Sequence, residues 1–197
     1  MKTLLFAVAC FMTAGLAAQN TSQILPKEIQ IKTASLAAPE DLREGVKVYG
    51  YDQNGEFVVL REGTNHLICI ADDPSKKGIN ISCYSDKLEP FMARGRQLIA
   101  EGKGEMEKRQ IRRSEAESGE LQLTDTPAMT YILSGTEENY NPSTGELKDG
   151  HFRYVIYIPY ATTESTGLPD KPFAPGMPWL MDPGTHRAHI MITPPKQ

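Results

Sequence analysis

Turn chemistry punctuates the chain between residues 46 and 70 so closely that its strands can be joined only by connections of hairpin length. Val46-Lys47-Val48-Tyr49-Gly50-Tyr51 alternates with period two, and Phe57-Val58-Val59-Leu60 is a second β-rich run. Between them Asp52-Gln53-Asn54-Gly55 supplies a tight turn in which Gly55 can take positive φ. The pattern predicts a β-hairpin. A further turn at Arg61-Glu62-Gly63-Thr64-Asn65 leads into His66-Leu67-Ile68-Cys69-Ile70, the expected third strand of a meander. Connections this short favour antiparallel over parallel pairing.

Where the chain goes decides what its cysteines do. Lys2 precedes an uncharged apolar run from Leu4 to Leu16, and Ala17-Ala18 supply the small residues a signal peptidase needs. Residues 1–18 therefore read as a secretory signal peptide. A membrane anchor needs about 20 apolar residues, but Gln19-Asn20-Thr21-Ser22 turns polar first. Acylation at Cys10 would leave only Leu4 to Ala9 as the apolar core, too short for a lipoprotein signal. Cleavage removes Cys10 and leaves Cys69 and Cys83, which in an exported protein read as one disulfide rather than a metal site or a reactive thiol. Export predicts a periplasmic or extracellular protein with no transmembrane segment after cleavage. In a eukaryotic secretory pathway Asn20-Thr21-Ser22 and Asn80-Ile81-Ser82 would be acceptor sequons.

The length of 197 residues, with 40% hydrophobic and 23% charged, suits one domain with its own core. A formal charge of -4 gives no strongly basic face, so nucleic acid is not an expected partner. Residues 19–38 read as a partly ordered leader, and residues 39–197 as a single α+β domain. Asp86 with Glu89 resembles a capping box, and Pro90 fits the first helical turn. Behind them Leu88, Met92, Gly95, Ile99, Gly102 and Met106 keep to one seam, predicting one long amphipathic helix over about 87–115. Glycines on that seam suggest that the helix lies close to a sheet. Lys108, Arg109, Arg112 and Arg113 interleave with glutamates, which reads as a solvated face rather than an anion or lipid-headgroup patch.

Strand patterns return at Met129-Thr130-Tyr131-Ile132-Leu133, Phe152 to Ile158 and Ala188 to Ile192. In the second of these, Tyr154, Ile156 and Ile158 share one face, and Arg153, Val155 and Tyr157 the other. Pro169, Pro172, Pro175 and Pro178 recur every third residue, the repeat of polyproline II. They predict a stiff strap that either covers the sheet or carries Phe173 and Trp179 over a pocket.

No nucleophile elbow, phosphate loop, His-Glu-x-x-His or Cys-x-x-Cys occurs. His186 and His189, joined by His66 or His151 and by Asp182, form a candidate zinc site, and zinc would lower the pKa of bound water in a hydrolase. Asp72-Asp73 suits calcium or acid-base work in principle but reads as a solvated turn. Trp179, Phe173, Tyr154 and Tyr157 form the candidate ligand surface, since aromatics at a concave rim supply contact area.

Gly63-Thr64-Asn65 four residues before Cys69, Cys83-Tyr84-Ser85-Asp86 before a helix, and His189-Ile190-Met191-Ile192 together resemble a family of small secreted bacterial proteins of uncharacterised function. The resemblance covers roughly residues 46–90 and the last strand. It implies one shared scaffold and carries no activity. The expectation is an α+β domain with a mostly antiparallel sheet, one long helix on one face and one disulfide. Its expected role is a non-catalytic module for a small molecule, a peptide or an envelope partner, with a metal-dependent hydrolase as the alternative.

Overall fold

The computed structural model of the protein describes residues 24–196; the expected signal peptide, Cys10 and the first sequon lie outside them. Eight strands form one sheet. They are β1 (Lys47–Tyr51), β2 (Phe57–Arg61), β3 (Leu67–Ile70), β4 (Ile79–Ser85), β5 (Ala128–Gly135), β8 (His151–Tyr157), β9 (Trp179–Met181) and β10 (His189–Ile192). β6 (Tyr140–Asn141) and β7 (Glu146–Leu147) form a separate ribbon. The sheet runs β2-β1-β3-β4-β5-β8-β10-β9 and is antiparallel at every pair except β1 with β3. The α+β class and its mostly antiparallel sheet are as the sequence predicts.

The hairpin forms where expected, with Gly55 at φ 82 and the Asp52 carboxylate accepting from the Asn54 and Glu56 backbones. The meander does not. β3 crosses to the other edge of β1 and pairs with it in parallel, Val48 opposite Cys69. The burial of the strands accounts for this: Leu67, Ile68 and Cys69 are all buried, whereas Phe57 and Val59 of β2 are exposed. β3 therefore belongs inside the sheet and β2 at its edge. The connection passes over the start of β1 so closely that a Cβ on Gly63 would lie 2.6 Å from the Lys47 backbone nitrogen. Asn65 then locks the crossing, donating to the Leu42 carbonyl and accepting from the Leu67 amide.

Helices cover both faces of the sheet, not one. α1 (Lys27–Ser35) lies within the stretch read as a leader and is ordered. Ala34, Ala37 and Ala38 pack with Val46, Val48, Cys69, Ile81, Cys83 and Leu133 in the larger core. The smaller core on the opposite face holds Ile68, Tyr84, Leu88 and Ala128. The expected long helix is two helices, α2 (Glu89–Ala100) and α3 (Glu105–Glu117). Gly102 takes φ 77 and donates to the Ile99 carbonyl, while Lys103 donates to Leu98. This is a Schellman stop. Gly102 has nothing within 4 Å of its missing Cβ, and the nearest atom to that of Gly95 is Arg112 Nη1 at 3.0 Å. Neither glycine marks an approach to the sheet. The expected capping box is also absent, because residues 86–88 form a 3-10 turn and the Glu89 carboxylate is taken by Tyr84 and Arg96.

The predicted disulfide joins Cys69 and Cys83, directly opposite residues of β3 and β4 with Cα atoms 4.0 Å apart. No described helix is long and apolar enough to cross a membrane.

Candidate functional site

The four aromatics of the expected ligand surface do not meet. Registers across β8, β10 and β9 put Tyr154 and Ile192 on one face of the sheet, and Tyr157, His189 and Met181 on the other. Tyr157 is half-buried, with its ring 5.7 Å from Phe91 and 5.1 Å from His189, and desolvation pushes its phenol up. Phe173 and Trp179 do line one open cavity of about 600 Å³, together with Pro172, His151 and Pro194. Tyr154 stacks on Phe152 and lines an adjoining cavity of about 670 Å³. The strap is not a continuous polyproline helix: Met177 donates to the Ala174 carbonyl and Gly176 takes φ 77, so a turn interrupts the three-residue register. Phe173 ends up 81% exposed.

The histidines do not assemble either. His66 precedes β3, His151 opens β8, His189 opens β10, one strand in from the β9 edge, and His186 lies in the turn before it. Among the described residues no three His, Cys, Asp or Glu side chains gather to hold a metal ion. Asp182 is held instead by Arg187, whose Nε lies 2.8 Å from its Oδ2 without a well-aligned N–H. His189 Nδ1 is 2.7 Å from the Arg187 carbonyl oxygen. His186 is buried, edge-on to Phe91, with neither ring nitrogen bonded among the described residues. Arg112 stacks over that same Phe91, 4.1 Å from its centroid.

These environments set an acid sensitivity. Burial holds the His186 imidazole below its ordinary value, helped by Arg112, Arg187 and Arg113 and opposed only by Glu117. Burial also lowers His189, against the Arg187 carbonyl contact and Asp182. The unfolded chain takes up protons near pH 6.5, before the folded one can, so this contribution is complete above about 6.5 and declines as pH falls below it. Asp72 acts in the opposite sense. Its carboxyl is pushed up to about 6 from 3.8, chiefly by burial, so ionising it weakens the fold as pH rises through that window. Urea denaturation at pH 7.5 and 5.5 is expected to show His186→Phe losing less stability on acidification than the parent chain. Equal losses would remove His186 from this account.

Asp72 belongs to a cavity that the sequence did not reveal. A cavity of about 300 Å³, partly open to solvent, lies between α1, the Ala71–Gly78 loop and the ribbon that starts at Tyr140. Ile24, Leu25, Ala71, Pro74 and Ile79 make most of its wall apolar. Gln30 fixes one side, donating to the Leu25 and Tyr51 carbonyls and accepting from the Tyr51 amide. Thr33 and the Tyr140 hydroxyl, 2.9 Å apart, fix another. Burial pushes the Tyr51 phenol up to about 12, with Asp73 and Asp72 adding to it. An apolar hollow with a few converging polar groups of shifted pKa is the usual form of a small-molecule site. The one sequence signal was Asp72-Asp73 immediately after a buried strand, which reads equally well as a surface turn.

The chain matches no family model, no curated protein and no solved structure.

Proposed function

We propose that the protein is an exported, non-catalytic binding module that holds a small molecule in the cavity between α1 and the Ala71–Gly78 loop. The observation carrying this reading is the combination in one hollow of an apolar wall, the Asp72 carboxyl and the Tyr51 and Tyr140 phenols. A volume of about 300 Å³ suits a small molecule better than a peptide, which needs an extended groove. Export is supported by the signal-like start of the sequence and by a buried disulfide, which persists in oxidising compartments.

Chemical-shift mapping with 1-hexanol as a neutral apolar probe tests the site. Saturable shifts are expected at the amides of Tyr51, Ala71, Ile79 and Tyr140. Shifts confined to His151, Trp179 and Thr193 would move the site to the strap-lined cavity and overturn the proposal.

A further inference from the structure

We infer that the ligand is an organic ammonium ion, a primary amine on a short hydrocarbon body, seated with its nitrogen at Asp72 and Glu137 and its body against Ile24, Leu25 and Ile79. This rests on the cavity being the binding site.

Both carboxylates reach the cavity wall with one oxygen committed to the protein. Asp72 Oδ1 accepts from the Asn80 amide at 2.7 Å, and Glu137 Oε1 from the Gly78 amide at 3.1 Å. Those bonds fix the direction of each side chain and leave one oxygen of each carboxylate beyond them. Lys76 is the one cationic side chain on the wall among the described residues. It is engaged elsewhere, with Nζ 3.0 Å from Asp73 Oδ2 and most of its side chain in solvent. Asp73 answers in kind: despite partial burial, Ser75 and Lys76 hold its carboxyl below the usual range. The Lys76 charge is therefore matched by Asp73, and Asp72 and Glu137 are left on the wall without a cationic partner among the described residues.

The apolar wall and the two rings decide which cation fits. A hydrated inorganic cation gains nothing from Ile24, Leu25, Pro74 and Ile79, whereas a hydrocarbon body removes them from water. Tyr51 and Tyr140 line the same hollow, and an aromatic ring attracts a desolvated ammonium. The Tyr51 hydroxyl takes no hydrogen bond among the described residues, so it is free to receive an N–H. A carboxylate or phosphate ligand would meet two acids and no available cation. Burial of Asp72 also fits this reading, since the energy that keeps its carboxyl protonated up to about pH 6 is recovered when a positive charge arrives. Affinity should then fall on acidification, as the proton and the ammonium compete for one carboxylate.

The test titrates the full chain at pH 7.5 with n-hexylamine, 1-hexanol and sodium hexanoate, following the Ala71 and Ile79 amides. Hexylamine is expected to bind at least tenfold more tightly than 1-hexanol, and hexanoate not at all. Asp72→Asn keeps an acceptor for the Asn80 amide, and it should cost hexylamine about tenfold while leaving 1-hexanol unchanged. Between pH 7.5 and 5 the hexylamine affinity of the parent chain should fall severalfold, and that of Asp72→Asn should stay nearly level. If 1-hexanol or hexanoate binds as tightly as hexylamine, the ammonium assignment is wrong and the cavity stands. If calcium or magnesium alone gives the same saturable shifts, the site is for an inorganic cation and the assignment is likewise overturned. If no probe shifts these amides, both the ligand class and the cavity reading fall.

Discussion

Replacing both bridging cysteines, as Cys69→Ala with Cys83→Ala, is expected to lower the unfolding free energy by about 3 kcal/mol and to weaken ligand binding with it. The cysteines are 14 positions apart, and a closed loop of about 15 residues is worth about 3 kcal/mol through the entropy it removes from the unfolded chain. Both side chains are fully buried in the larger core, so truncating the sulfurs adds a packing loss. Cys83 Sγ also lies 3.4 Å from the Ala34 carbonyl oxygen, so α1 rests on the bridge. α1 carries Gln30 and Thr33, and the closed loop carries Asp72, Pro74 and Ile79. The bridge thus holds together the two sides of the cavity. Guanidinium denaturation and 1-hexanol titration of the parent and the double variant check this. A stability loss under about 1 kcal/mol, or undiminished binding, would show that the sheet holds the loop unaided.

The strands were legible because their signals are local. Alternation and turn residues at Val46–Leu60 and Phe152–Ile158 survive into the structure, and an even cysteine pair in a chain expected to be exported has one simple solution. What failed was information carried by distant parts of the chain. α1 buries Gln30, Thr33, Ala34 and Ser35, which are polar or small, so it shows no apolar stripe. Its order comes from tertiary contact, as when Gln30 reaches the Tyr51 backbone. Gly102 lay in phase with a helical seam, and periodicity alone does not distinguish a seam glycine from a helix stop. Asp72 looks like a loop acid until Ile24, Leu25 and Tyr140 arrive from elsewhere in the chain to enclose it. The aromatic surface failed for a different reason. Tyr154 and Tyr157 already stand on opposite faces by strand parity, so a regular strand, as β8 is, cannot place both on one rim.

Leu98→Ala is expected to cost about 2–5 kcal/mol, and Arg94→Ala less than about 1 kcal/mol, although the two residues lie four apart on the same helix. Leu98 is fully buried and is one of only three buried residues of α2, with Phe91 and Gly95. Removing its isobutyl group takes away transfer energy and leaves a void under the helix. Arg94 makes a two-pronged bond to Glu115 of α3, Nη2 at 2.6 Å and Nε at 2.9 Å from Oε1, but the pair is partly exposed to water that competes for it. α3 buries no apolar residue at all; its buried positions are Lys108 and Arg112. It is therefore attached through charged side chains, the Gly102 turn and Leu121 just past its end, whereas α2 is attached through the core. Amide exchange should follow the same division, with α3 opening well below the global unfolding free energy and α2 only close to it. Chemical denaturation of both variants and hydrogen exchange on the parent test the division. A loss at Arg94→Ala comparable to that at Leu98→Ala, or α3 amides as slow as those of α2, would mean that the two helices unfold as one unit with the sheet.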